Sequence, residues 1–463
     1  MAVALELHRN LASQKIKRMR AAAGRIHAAR RGGNLKTLIL HTLDKFDTEL
    51  SRLDEELAEF EAAVERGTIA EAQAAEFYEN QSVKYERLHT PLGVVHRVLA
   101  RYEGSIDRPD LPVGIQHLIH VLMKQLTRET CDPIVHLDPV DNYSTIDLVA
   151  ELNAMKRKDG GLNIEDGYEN HRRPVVLNLP ALDPANALLT PLLVHEVAHS
   201  AVEAELLQTL KSRTPVQTKA VDKAIAALRP KIGQAAGDEL AAHYLEWCGE
   251  LICDAVALAM TGPSFLFAYG SFARPSSVAS VSTHPPSRDR LAFHIRVLDR
   301  LGWTESLSSR IPDAYGWFIE AGKNPYLANS ADERILRQGM SDVEDAIIQL
   351  SIEAVENPLL PGRAEEIVDI VAEQLAVGTP VVDYQGTALG TWEIVFAGWI
   401  SIFKVEAADR ASNDEIDPTF SPTEIEKLLV RAIGNDGLNA LLVKAIELAS
   451  IVTAWRQHER SGV

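Results

Sequence analysis

Apolar residues recur through the first part of the chain in steps of four and three: Ile39, Leu43, Phe46, Leu50, Leu53, Leu57, Phe60 and Val64. That spacing is a heptad seam, an apolar stripe along one face of a helix. Gly67 ends it. Thr68, with Glu71 three residues on, reads as a capping box that opens the next helix. Phe77, Tyr85 and Leu88 give that helix an apolar face of its own. The two predict a helical hairpin closed within the chain. A homodimer or protein partner seated on the same heptad helices is the alternative. Residues 1–31 read as one basic helix ended by Gly32-Gly33. Pro91 punctuates, and residues 94–102 and 113–126 are again helical in pattern.

Near residue 130 the period changes. Residues 133–137 and 174–179 are short β-branched runs that predict strands. The polar, glycine-containing residues 156–173 between them read as a loop. Thr190 then caps a helix that has Pro191 at its first position and runs to about residue 210. Residues 215–262 are helical in pattern, with Gly233 and Gly237 as possible breaks. Residues 263–290 read as mixed loop and helix, and from 291 onward the pattern is helical. Breaks are expected at Asn357-Pro358, Pro361-Gly362, Gly378-Thr379-Pro380 and residues 412–418. Ser421-Pro422-Thr423-Glu424 is a second capping box.

The 463 residues, 46% hydrophobic and 24% charged, fit a globular chain of two or three domains. The expected fold class is mainly α (α+β): a core with a small sheet over residues 126–300, flanked by an N-terminal helical region over 1–125 and a C-terminal helical domain over 301–463. A net charge of −18 argues against nucleic acid as a partner. Three sparse cysteines, Cys131, Cys248 and Cys253, imply no disulfide framework and fit a reducing, cytoplasmic location. The basic N-terminal residues lack the apolar run of a signal peptide and resemble a transit peptide only faintly. The longest apolar runs, residues 255–269 and 394–403, are too short to span a bilayer.

Candidate chemistry is concentrated at His195-Glu196-Val197-Ala198-His199. On a helix the two histidines lie one turn apart on one face, where they can share a zinc ion. Glu196 is then placed to act as base on a water activated by that zinc. A catalytic zinc needs a third protein ligand. Glu205 lies six residues past His199, but Val202 stands where a glycine would let the chain turn back. Glu203, a further step of four along, drifts off the face. Glu250, four residues before Asp254 on a later apolar helix, is the better candidate. Glu250 would bind the metal, and Asp254 would accept the N–H of a bound imidazole. The ordinary reading of the two carboxylates is a salt bridge to Lys or Arg. His243 and Glu246 are lesser ligand candidates.

Further on stands Thr283-His284-Pro285-Pro286, then Arg290-Leu291. H-E-x-x-H, then E-x-x-x-D, then T-H-P-P-x-x-x-R-hydrophobic resembles the gluzincin metallopeptidases of the CAAX prenyl protease and HtpX-type family. The resemblance covers about residues 175–300. It implies a zincin-like core, zinc on His195, His199 and Glu250, Glu196 as general base in peptide hydrolysis, and His284 as an oxyanion donor, with Tyr269 as another candidate for that role. Members of that family usually carry membrane spans or an export signal, which were not evident in this sequence, so the substrate class does not carry over. Residues 175–179 are expected to offer a strand edge to an extended protein or peptide substrate. No organic cofactor site is expected. A helical scaffold whose zinc site is structural or degenerate is the competing reading, and a zinc hydrolase acting on a non-peptide amide is a third.

Overall fold

A computed structural model of the chain describes residues 2–24, 33–69, 71–105, 111–127, 131–138, 143–149, 151, 173–180, 184–213, 222–223, 226, 234–272, 284–323, 331–412 and 420–461. The fold is mostly helical with a small sheet. Its contacts gather into two compact units.

The first unit takes residues 1–108 and 128–182. It holds α1 (Ala2–Gly24), α2 (Gly33–Glu65), α3 (Glu71–Arg87) and α4 (His89–Ser105), then β1 (Cys131–Asp138), β2 (Ser144–Asp147) and β3 (Arg173–Pro180). From Ile39 to Leu57 the heptad seam of α2 is buried. It shares one core with Leu5, Ala12, Ile16 and Met19 of α1 and with Tyr85. Phe60 completes the hairpin by stacking on Phe77, with ring centroids 3.7 Å apart. The seam is thus filled by the chain's own helices. Gly67, at φ 71°, lets the Thr68 N–H reach back to the Ala63 carbonyl at 3.1 Å. The Thr68 hydroxyl donates to the same carbonyl, so Thr68 closes α2 where it was expected to open α3.

β3 is the central strand of the three, parallel to β1 and antiparallel to β2. Residues 175–178 are paired on both sides and buried. The expectation of a free edge for peptide pairing at residues 175–179 is therefore overturned: both rows of backbone groups are already in use. β2 was not foreseen, because its four residues, Ser144-Thr145-Ile146-Asp147, are too short and too polar to carry a clear alternation. The loop expected over 156–173 lies outside the described residues apart from Arg173.

The second unit takes residues 109–127 and 183–463. It holds α5 (Val113–Thr127), a 3-10 turn at Ala187–Leu189, α6 (Thr190–Ala201), α7 (Glu203–Arg213), α8 (Gln234–Thr261) and α9 (Pro263–Phe272). Then come α10 (Ser287–Arg300), α11 (Thr304–Arg310), α12 (Pro312–Lys323), α13 (Ala331–Ala354) and α14 (Pro361–Ala376). A two-residue hairpin, β4 (Asp383–Tyr384) and β5 (Thr387–Ala388), precedes α15 (Thr391–Ala411), α16 (Pro422–Ile433) and α17 (Asp436–Ser461). The sheet was expected beside the H-E-x-x-H helix, but it gathers with the N-terminal helices. The residues after 300 gather with that helix instead.

α8 is the axis of this unit. Leu251, Ile252, Ala255, Val256 and Leu258 are all buried, as an all-round apolar helix requires. It packs against α6, α7, α9, α10 and α13. Gly237 does not break it. The second capping box is formed: the Ser421 N–H donates to Glu424 at 2.8 Å. Among the described residues, α17 contains one stretch, Asp436–His458, long and apolar enough to cross a membrane by length and composition. It packs on α5 and α15. The runs at 255–269 and 394–403 are core helix.

Candidate metal centre

α6 begins differently from the expected Thr190 cap. Asn186 caps the preceding 3-10 turn, its Oδ1 accepting the Leu189 N–H at 3.2 Å. Its Nδ2 donates to the Ile433 carbonyl at the end of α16 at 2.7 Å. Asn439 of α17 accepts the Leu188 N–H at 3.3 Å. The C-terminal helices therefore fix the entry of the candidate active helix, a role invisible in local sequence. Asn186 is buried, and Asn186→Ala removes the shorter of the two amide bonds to the Ile433 carbonyl, leaving that of Asn439 at 3.4 Å, together with the side-chain cap on the Leu189 N–H. We expect a loss of about 1–3 kcal/mol, read by chemical denaturation. A change within experimental error removes this anchor.

α6 turns His195 inward and leaves His199 partly open. The helix stops at Ala201, two residues past His199. Val202 has φ −132° and ψ −20°, and α7 then starts at Glu203. The single helix expected to residue 210 is thus two, and the break is made without a left-handed residue.

The two imidazoles converge. His195 Nε2 lies 3.1 Å from His199 Nε2. Glu250 of α8 comes within 3.5 Å of His195 Nε2 through Oε2 and within 3.4 Å of His199 Nε2 through Oε1. His195, His199 and Glu250 form a cluster that could hold a metal ion. Tetrahedral coordination at about 2.0–2.2 Å puts neighbouring ligand atoms roughly 3.3 Å apart; the two imidazoles stand near that value, and each has a different oxygen of Glu250 near it. Glu250 Oε2 is buried without a well-aligned hydrogen bond, and its close cation is the Arg290 guanidinium at 3.1 Å.

The opposite ring nitrogens are held from behind. His195 Nδ1 lies 2.8 Å from Asp254 Oδ1, and His199 Nδ1 lies 2.7 Å from Glu203 Oε2. A proton on each Nδ1 leaves the Nε2 lone pair facing the cluster. Asp254, fully buried, also accepts two bonds from Arg290 of α10, at 2.8 and 2.6 Å, and one from His294 Nε2 at 2.8 Å. Arg290 Nη1 lies 3.1 Å from Glu250 Oε2, so the ordinary salt bridge coexists with the ligand geometry. Tyr269 of α9 lies under the Arg290 guanidinium and edge-on to His294. His284 Nε2 is 3.3 Å from Glu250 Oε1, with its side chain 59% exposed. It lies outside the three-residue cluster. It does not cap α10, whose N-cap is Pro286.

The other candidates lie elsewhere. His243 Nδ1 pairs with Glu246 at 2.9 Å on the outer side of α8, and Glu205 is exposed on α7. His294 and the backing role of Glu203 were not read from the sequence. His294 lies four residues past Arg290, one turn on along the same face, which is the signal that could have found it.

Charge follows contact. Burial opposes a charged His195, but Asp254 and Glu250 outweigh it and push the group up to about 10. Burial also opposes a charged Glu250, yet His195 and Arg290 hold it down to about 2. Burial raises Asp254 as well, but Arg290 and His294 keep it well below the usual carboxylate range. Burial pushes Glu196 above the usual range, against the pull of the two histidines.

A pH dependence follows. Metal-free His195 carries a proton at pH 7, and a metal at Nε2 must expel it. Metal affinity is expected to rise with pH, about tenfold per unit per proton displaced, and to keep rising beyond pH 8. For the metal-free chain the sign is opposite. A raised imidazole contributes stability that is fully present below the unfolded value near 6.5 and is lost as pH rises through about 10. Calorimetric titration with metal in buffers of different ionisation enthalpy measures the proton release. An affinity flat above pH 7 contradicts it.

No protein-family model, no curated protein and no solved structure matches the chain.

Proposed function

We propose that the chain is a zinc-dependent endopeptidase of gluzincin type, similar to the CAAX prenyl protease and HtpX-type family, with a zincin-like core built on α6 and α8. The observation that carries this reading is the cluster itself. His195 Nε2, His199 Nε2 and Glu250 stand at tetrahedral edge lengths, and both imidazoles are backed by carboxylates. Two nitrogens and one carboxylate are the ligand set of open catalytic zinc sites. Bound there, the ion supplies Lewis acidity that activates water and polarises a carbonyl.

The protein's own groups do the rest. Glu196 takes the proton of the attacking water and passes it to the leaving amine. Its burial brings it nearer to neutral pH, where proton transfer in both directions is efficient. His284, exposed beside Glu250, is the candidate donor to the developing oxyanion. Asp254, itself locked by Arg290 and His294, keeps His195 in the ligating tautomer.

The scaffold reading, with a structural or degenerate zinc, requires a fourth protein ligand. His284 is the nearest imidazole for that place, but its exposure and its position outside the cluster favour an open coordination site. Metal analysis of the purified chain and cleavage of an unstructured protein, with and without a chelator, test the proposal. About one zinc per chain and chelator-sensitive cleavage support it. Bound zinc without cleavage of any peptide bond leaves the scaffold reading in its place.

A further inference from the structure

We infer that Glu203 is a positioning residue for the metal centre, which sets the orientation and tautomer of His199, and that Gly249 is glycine in order to make room for it. This rests on the proposed metal site and adds a part to it that the sequence motifs do not contain.

Glu203 stands four residues past His199, one helical turn along the same side. The break at Val202 redirects the chain at the residue before Glu203. The carboxylate then bonds His199 Nδ1 at 2.7 Å. Glu203 thereby does for His199 what Asp254 does for His195 from another helix.

Its carboxylate lies over α8 at Gly249, the residue next to the ligand Glu250. A Cβ built on Gly249 meets the Glu203 carboxylate, with the Cδ atom at 2.8 Å. Glycine inside a helix is less favourable than alanine, so this position gives up helix stability. The space it leaves is filled by the far end of a flexible side chain and not by backbone. A methyl group there would displace the carboxylate and leave the helix intact. Cys253, one turn further along α8, completes the surroundings: its sulfur lies within 4.8 Å of the His199 and Glu203 ligand atoms. That buried thiol is a neutral neighbour, since burial pushes it well up.

The test uses the full chain and reads zinc directly. Zinc release to a chromogenic chelator is followed for wild type, Glu203→Ala, Glu203→Gln and Gly249→Ala. Loss of such a backing group typically weakens metal binding 10–100-fold. Glu203→Ala and Gly249→Ala are each expected to weaken zinc by about that factor, with no further loss on combining them. Glu203→Gln, whose amide oxygen can still accept from Nδ1, is expected to recover much of the affinity. Gly249→Ala is expected to unfold no more easily than wild type without metal, which separates displacement of Glu203 from damage to the fold. Wild-type affinity in Glu203→Ala, or in Gly249→Ala, overturns the inference. A wild-type chain that binds no zinc instead removes the metal site on which it rests.

Discussion

Glu196→Gln is expected to leave zinc stoichiometry unchanged while cleavage falls by about 10²–10⁴-fold, the usual contribution of general acid–base catalysis. Glutamine keeps the shape of the side chain but cannot take a proton. The three candidate ligand atoms belong to His195, His199 and Glu250, so the change removes none of them. Glu196 lies between the two histidines on the same turn of α6 and is partly buried. Loss in kcat with KM little altered marks an interaction made in the transition state. Peptide cleavage rates and metal content, measured on the same preparations, decide the matter. If the variant cleaves at the wild-type rate, Glu196 is not the base. If it loses the metal, the experiment has tested folding of the site and not its chemistry, and Glu196→Asp, which keeps the carboxylate on a shorter stem, then separates the two.

Asp254→Ala is expected to cost the metal-free chain about 3–5 kcal/mol, the range for breaking one end of a buried ion pair. Asp254 and His294 are wholly inaccessible and Arg290 nearly so. Removing the carboxylate leaves a guanidinium with only Glu250 and an imidazole with no acceptor. The penalty is mostly desolvated charge without a partner. Arg290→Leu in the Asp254→Ala background is therefore expected to restore part of the lost stability, because a buried pair replaced at both ends is often nearly neutral. Urea denaturation of the chelated protein measures both. A loss below about 1 kcal/mol for Asp254→Ala, or a double variant worse than the sum of its parts, shows that the carboxylate is not the hub of this network. Zinc affinity should fall alongside stability, since Asp254 also holds His195.

The two expectations differ in what they ask of the fold. Glu196 acts at the cluster surface, where α6 carries it by helical periodicity alone. Asp254 acts through three side chains, His195 of α6 and Arg290 and His294 of α10. Any endopeptidase built this way depends on the helices beyond residue 300, because α16 and α17 hold the entry of α6 through Asn186 and Asn439.

What the chain's sequence determined by itself was local and periodic. The 4-3 seam from Ile39 to Val64 gave α2, and its burial against α1 and α3 follows from a stripe that water disfavours. H-E-x-x-H on a helix placed His195 and His199 a turn apart. E-x-x-x-D placed Glu250 and Asp254 one turn apart on a helix whose second half, from Leu251 to Met260, is otherwise apolar. Pairing those two helices needed only the chemistry of their polar residues, since buried carboxylates and imidazoles seek each other.

The tertiary structure decided what depends on contacts between distant segments. No local pattern tells that β3 is flanked on both sides, because a buried central strand and an edge strand can share one apolar run. Nor does it tell that the sheet gathers with the N-terminal helices and the active helix with the C-terminal ones. Glu203 looked misplaced for the site on a straight helix. Across a break at Val202, which no glycine or proline announces, it pairs with His199 as a backing group instead of a ligand, and a glycine on another helix leaves it room. Such a position is fixed by the sum of packing around it, and the residues that make it are spread over α6, α7 and α8.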